Sequence, residues 1–221
     1  MENFLRDIAK RSKPVLIIDE LQKIGDIEID GPLIYELFNF FIGLTKELHL
    51  CHVFCVTSDS LFLERVYKEA MLHGRCRFML VDDFDYETTA NFLRTYGFDE
   101  EEIDIVWHYF GGKPIYLVEA IKNRDKLEEF CKTMLKIRRS QILDLIYDLE
   151  DRRDTLESVL RIFEVVCERG KMEYRKIDEA LRICVRYNVL FADPVERSVR
   201  PQSKLDLLAM REVLKEFRLS P

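Results

Sequence analysis

Asp19 and Glu20 are the residues of this sequence best placed to do chemistry: two adjacent carboxylates that end the apolar run Pro14-Val15-Leu16-Ile17-Ile18. At such a point one carboxylate can hold a magnesium ion, directly or through water, and the other can orient or deprotonate an attacking water. An acidic pair that merely opens a loop would look the same, because a hydrophobic run followed by Asp-Glu is a short pattern. The run itself reads as a strand. Consecutive apolar residues rich in Val and Ile suit a parallel strand covered on both faces, and in an open α/β sheet ligands bind at the carboxyl ends of the strands.

The elements around that strand follow from periodicity. Glu2 to Arg11 has helical spacing, and a turn-rich stretch with Gly25, Asp26, Asp30, Gly31 and Pro32 leads into a crossover helix from Leu33 to Leu48. Cys51 to Val56 reads as the next strand and ends at Thr57-Ser58. Ser60 is the expected N-cap of a helix from Leu61 to Leu72, and Arg77 to Val81 the expected third strand. That order predicts an α/β fold with a parallel sheet and right-handed crossovers. Beyond it, Asp85 can cap a helix ended by Gly97, Glu100 to Phe110 forms another, and Gly111-Gly112 stops it before a helix that starts at Pro114. Asp125 to Arg153 carries one or two amphipathic helices. A helix stopped by Gly170, a second from Ile177 to Tyr187, the short strands "NVLFAD" and "SVRPQS", and a last helix from Lys204 to Phe217 give a winged-helix pattern.

With 221 residues and a net charge of -7, the chain has room for one large domain or two to three small ones. The six cysteines include no CxxC pair and no His partner at zinc-finger spacing, so reduced, buried thiols are expected. Cys51, His52 and Cys55 lie on a strand whose neighbours point to opposite faces, which argues against zinc there. No signal peptide and no 18-residue apolar run appears, so a soluble, cytoplasmic protein without a membrane partner is expected. From Glu150 onward there are 15 Lys and Arg against 14 Asp and Glu. Arg175, Lys176, Arg182, Arg186, Arg197 and Arg200 could meet DNA phosphates. Asp178 and Glu179 oppose that, which puts a protein-contact or regulatory role ahead of DNA binding.

Val15 to Gln22 resembles the Walker B segment of P-loop ATPases, and its "DELQ" form is similar to that of the archaeal ATPase family related to AAA+ and STAND proteins. The resemblance runs almost to the end of the chain. It implies a magnesium ligand at Asp19, a catalytic Glu20, and sensor 1 at Thr57 or Ser58, where a plain helix cap is the other reading. "GR" at Gly74-Arg75 resembles the family's arginine-finger position, so Arg75 is a candidate catalytic residue and Arg77 a second one; a solvated loop arginine is the alternative. "DDFDYETTANFL" resembles the linker into a helical lid, and "GGKP" the GxP motif in which Pro114, with Gly112, contacts the adenine. The implied domains are 1–82, a partial P-loop core; 83–149, a helical lid with connecting helices; and 150–221, a winged-helix domain.

No G-x-x-x-x-G-K-[ST] occurs in these residues. The implied fold is therefore a truncated parallel P-loop-type sheet, and ATP and Mg2+ are expected as cofactors only if a P-loop is supplied. The implied function is the C-terminal part of a nucleotide-dependent regulatory switch, with no hydrolysis by this chain alone. The alternative is a non-catalytic winged-helix regulator or DNA-binding adaptor on an ATPase-derived scaffold. In the family the strand before the P-loop lies between the strands matching Cys51 to Val56 and Arg77 to Val81. Its absence would leave a gap of roughly 9 to 10 Å, to be filled by a separately encoded P-loop segment or relieved by self-association through the open edges.

Overall fold

The computed structural model describes residues 2–25, 27–29, 31–69 and 72–219. The fold is α/β and mostly helical, with a small parallel sheet, and the chain divides into two compact units, Met1–Met79 and Leu80–Pro221.

The first unit contains α1 (Glu2–Ala9), β1 (Val15–Ile18), a 3-10 turn (Leu21–Ile24), α2 (Leu33–Ile42) with a π turn (Gly43–Glu47), β2 (His52–Cys55) and α3 (Ser60–Tyr67). β1 and β2 pair in parallel from Val15↔His52 to Ile18↔Cys55, with α2 as the crossover. Strand pleating sends alternate side chains to opposite faces. Leu16, Ile18 and Val53 pack inward against Leu21, Phe38, Phe41 and Phe62, and Leu16 and Val53 also meet Leu5 and Leu44. The outward residues Val15, Ile17 and Phe54 are 54%, 66% and 50% exposed. Among the described residues of this unit the sheet is thus covered on one face, not on both as the apolar run suggested, because α1, α2 and α3 all pack on one side.

Two further expectations are corrected. Arg77 to Val81 forms no strand; it has no ladder partner among the described residues, and Met79, Leu80 and Val81 are exposed. An apolar run becomes a strand only where a neighbour takes up its N–H and C=O groups. Asp59, not Ser60, caps α3, its carboxylate accepting from the Leu61 and Phe62 N–H groups, and α3 ends at Tyr67. Asp26, Asp30, Ala70 and Met71, named in the turn and at the expected end of that helix, lie outside the described residues.

In the second unit, α4 (Tyr86–Thr95), α5 (Glu100–Phe110), α6 (Pro114–Lys122) and α7 (Leu127–Tyr147) enclose Leu93, Ile103, Val106, Phe110, Leu117 and Cys131. Asp85 caps α4 as expected, and Asp99 with Glu102 forms a capping box at the start of α5. Then come α8 (Arg153–Arg169), stopped by Gly170 at φ 78, β3 (Met172–Glu173), α9 (Glu179–Arg186), β4 (Leu190–Asp193), β5 (Ser198–Pro201) and α10 (Lys204–Leu219). The three strands pair antiparallel in the order β3-β5-β4. α10 joins the core formed by α4–α7 through Leu205. Asp206, buried near its start, accepts from Arg138 Nε of α7 at 2.6 Å and from the Ser203 hydroxyl, while Arg138 also donates to the Asn188 carbonyl after α9. Burial pushes the Asp206 carboxyl above its usual range despite these donors.

Candidate functional site

β1 and β2 run side by side in the same direction, so the segments that follow them, Asp19–Glu20 and Thr57–Ser58, emerge at the same end of the sheet. Val56 fixes both sides of the acidic pair. Its N–H donates to the Ile18 carbonyl at 2.8 Å, and its carbonyl accepts from the Leu21 N–H at 3.1 Å. Asp19 and Glu20 therefore form a two-residue excursion between anchored neighbours, and buried Leu21 pins the return. The Asp19 carboxylate folds back to accept the Glu20 N–H at 2.8 Å. Glu20 takes φ 55, ψ 41, the left-handed region, which costs a non-glycine residue roughly 1–2 kcal/mol. Strain of this kind persists where surrounding contacts over-determine it.

Beyond the carboxylates lies a polar network that spacing alone did not reveal. Gln22 Nε2 donates to Glu20 Oε2 at 3.1 Å and to Ser58 Oγ at 3.4 Å, and Gln22 Oε1 accepts from the Thr57 hydroxyl at 2.7 Å. Thr57 Oγ1 in turn accepts the Asp59 N–H at 3.1 Å. Lys23 Nζ stands 3.5 Å from Glu20 Oε2 on an exposed stem. Arg65 of α3 donates to the Gly25 carbonyl at 3.1 Å and lies over the Phe62 ring, closing the turn that carries Gln22. A Cβ on Gly25 would meet Arg65 at 2.6 Å and Phe62 at 2.8 Å, so this closure requires glycine. The structure thus brings Asp19, Glu20, Thr57 and Ser58 into one cluster with Gln22 at its centre. In the sequence Gln22 was the last letter of a motif, with no signal for its role.

The donor set is made of carboxylate and hydroxyl oxygens, which suits a hard divalent cation such as Mg2+. Asp19 keeps one carboxylate oxygen outside its bond to Glu20 N–H, and that oxygen could serve as a ligand. Arg75 lies in the turn after Leu72, exposed, its N–H bonded to the Leu72 carbonyl; no contact joins its side chain to the cluster among the described residues. Arg77 is exposed in the irregular segment that follows.

Gly112 and Pro114 belong to the second unit, where both have local roles. Phe84 N–H donates to the Gly112 carbonyl at 2.9 Å, and a Cβ on Gly112 would fall 1.8 Å from the Phe84 carbonyl oxygen. Only glycine permits that crossing. Pro114 opens α6 at its first position, where no backbone donor is needed. It is exposed, as are Ile115 and Val118 of the same helix. Lys113 between them donates to the Gln202 carbonyl at 3.0 Å and lies 3.6 Å from Asp83, while Asp82 pairs with Arg200 of β5 at 2.5 Å.

A family described as an ATPase domain predominantly from Archaea matches residues 1–120, and a family described as the C-terminal domain of "uncharacterized ATP-binding protein MJ1010-like" matches residues 128–214. The chain is 55% identical to the "uncharacterized ATP-binding protein MJ1659" of Methanocaldococcus jannaschii over 99% of its own length and 62% of that protein's. It is 54% identical to PYRAB09480 of Pyrococcus abyssi, over 95% and 62%, and 52% identical to PYRAB12000 of the same organism, over 99% and 67%. It thus spans a little under two thirds of the first two relatives. Among solved structures it resembles "the Walker-type ATPase PABY2304" of Pyrococcus abyssi with a TM-score of 0.63, covering 94% of this chain and 66% of that one; at 18% identity this is a likeness of fold. With the family matched over more than half of its residues and relatives above 50% identity along nearly all of it, the chain belongs to the archaeal ATPase family.

Proposed function

We propose that this chain is the Walker B, lid and winged-helix portion of a nucleotide-dependent regulatory switch of the AAA+/STAND type. The observation that carries the reading is the convergence of Asp19–Glu20 and Thr57–Ser58 on Gln22 at one end of a parallel strand pair. Asp19 holds Mg2+, which supplies neutralisation of phosphate charge when bound. Glu20 orients or deprotonates the attacking water, and Thr57 or Ser58 senses the γ-phosphate. Arg75, exposed and outside the cluster, acts on a neighbouring nucleotide. Pro114 and Gly112 serve the adenine, in keeping with the exposed apolar start of α6. Since these residues hold no phosphate-cradling glycine loop, another polypeptide segment supplies it and adds a strand to the β1–β2 sheet, whose outward residues Val15, Ile17 and Phe54 are exposed. α8, α9 and the β3-β5-β4 strands act as a winged helix that contacts a protein partner.

No helix among the described residues is long and apolar enough to cross a membrane; a cytoplasmic location is part of the proposal. The test is ATP turnover and binding by this chain joined to the part of MJ1659 that lies outside the matched span. Glu20→Gln should abolish turnover and leave ATP binding within a few-fold, and unchanged turnover would remove Glu20 from its role. A second reading, a non-catalytic DNA-binding regulator, draws on Arg175, Lys176, Arg182 and Arg186, all exposed around α9. It requires duplex affinity that falls steeply with salt and with charge removal at Arg182 and Arg186.

A further inference from the structure

The hydrogen bonds around Gln22 have a direction. The Asp59 N–H can only donate, so it makes Thr57 Oγ1 an acceptor, and the Thr57 proton is directed to Gln22 Oε1 at 2.7 Å. That fixes the amide: with its oxygen held by Thr57, its nitrogen faces Glu20 Oε2 at 3.1 Å and Ser58 Oγ at 3.4 Å. The half-buried amide rides on a turn anchored by Leu21 and by Arg65 on the Gly25 carbonyl, so it has little room to rotate. Among the described residues, both side-chain donors that reach Glu20, Gln22 and Lys23, approach Oε2. Oε1 accepts from neither of these side chains. The Gln22 amide thus holds one carboxylate oxygen of Glu20 in place.

We infer that Gln22 is a positioning residue that couples the Thr57 hydroxyl to Glu20, and that the two hydroxyls divide their work, Thr57 holding Gln22 and Ser58 facing the phosphate. Ser58 enters the network as an acceptor and keeps its own proton to give, whereas the Thr57 proton is already committed. A displacement of Ser58 by a phosphate would reach Glu20 through the same amide. The inference rests on the assignment of Glu20 as the residue that handles water.

Two experiments test it. In the chain without nucleotide, the side-chain amide protons of Gln22 are followed by NMR; Thr57→Val should shift them and speed their exchange with water. An unchanged signal overturns the coupling. In the chain joined to the remaining part of MJ1659, Gln22→Leu and Thr57→Val should each lower kcat about 10- to 100-fold, the scale of one hydrogen bond to a charged group, and leave KM for ATP within about two-fold. The double variant should be no worse than either single one, because both remove the same coupling. Ser58→Ala should instead raise KM. Loss of turnover in Glu20→Gln with kcat unchanged in Gln22→Leu overturns this inference alone. Turnover that survives Glu20→Gln overturns the assignment beneath it.

Discussion

Replacing Gly112 by alanine should destabilise the second unit strongly, and the size of the effect follows from the crossing with Phe84. The added Cβ would lie 1.8 Å from the Phe84 carbonyl oxygen, 2.5 Å from its carbonyl carbon and 2.8 Å from its Cα. Carbon and oxygen tolerate about 3.3 Å at closest, so one backbone must retreat by roughly 1.5 Å. Neither is a flexible side-chain tip, and the two are tied by the 2.9 Å bond from Phe84 N–H to the Gly112 carbonyl. Forced repacking costs about 1–3 kcal/mol and a lost hydrogen bond about 0.5–1.5 kcal/mol, giving roughly 2–4 kcal/mol in all. For a unit of this size that lowers Tm by roughly 7–13 °C. Calorimetry on the whole chain, without nucleotide, reads it directly. Gly170→Ala is the comparison, since its φ of 78 disfavours alanine through the backbone while nothing lies within 4 Å of the new methyl; that change should cost only about 1 kcal/mol. A Gly112→Ala melt no lower than that of Gly170→Ala would refute the steric argument. The outcome also bears on nucleotide assays, because weakened ATP binding in Gly112→Ala would not by itself speak for an adenine contact.

Two pairs in the second unit should respond to pH with opposite signs. Arg124 donates to both oxygens of Glu102, at 2.8 and 2.7 Å, and holds its carboxyl below the usual range. Stability from the charged form is present above the ordinary glutamate pKa and lost as pH falls through the folded value, so the Tm gap between the parent and Glu102→Gln should close as melts move from pH 7 toward pH 3. Asp206, raised by burial, runs the other way: its contribution is present below the unfolded value and lost as pH rises through the folded one. Arg138→Leu should therefore destabilise by about 3–5 kcal/mol at neutral pH and by less near pH 4, and adding Asp206→Leu should restore most of the loss. An Arg138→Leu penalty independent of pH and of Asp206 would contradict this account.

Much of this organisation was legible in the chain. The runs Val15–Ile18 and His52–Cys55, the crossover helix and the caps at Asp85, Pro114 and Gly170 are set by local pattern, and local pattern is what a sequence displays. The failures have separate causes. Arg77 to Val81 has strand composition, but pairing is supplied by another segment and cannot be read from the run itself. β3 spans only Met172–Glu173 and exists because β5 offers an edge. Asp59 outcompetes Ser60 as cap through carboxylate reach, a choice between neighbours that composition leaves open. At the candidate site the carboxylates and hydroxyls were visible as types at strand ends. Gln22 was not, since its role depends on three partners, two of them more than thirty positions away. The glycine of "GGKP" was visible as a helix stop, whereas its close approach to Phe84 was not.

Glu20 holds its left-handed backbone where glycine would sit without strain, and position 20 consequently records which pressure has acted on a lineage. A population selected only to remain folded gains by drifting to Glu20→Gly, since the backbone relaxes and a surface carboxylate is lost. A population selected to use the carboxylate forgoes that gain in every generation. Sequencing descendants of this gene after long propagation with and without demand for its activity would therefore separate the two regimes at this one codon.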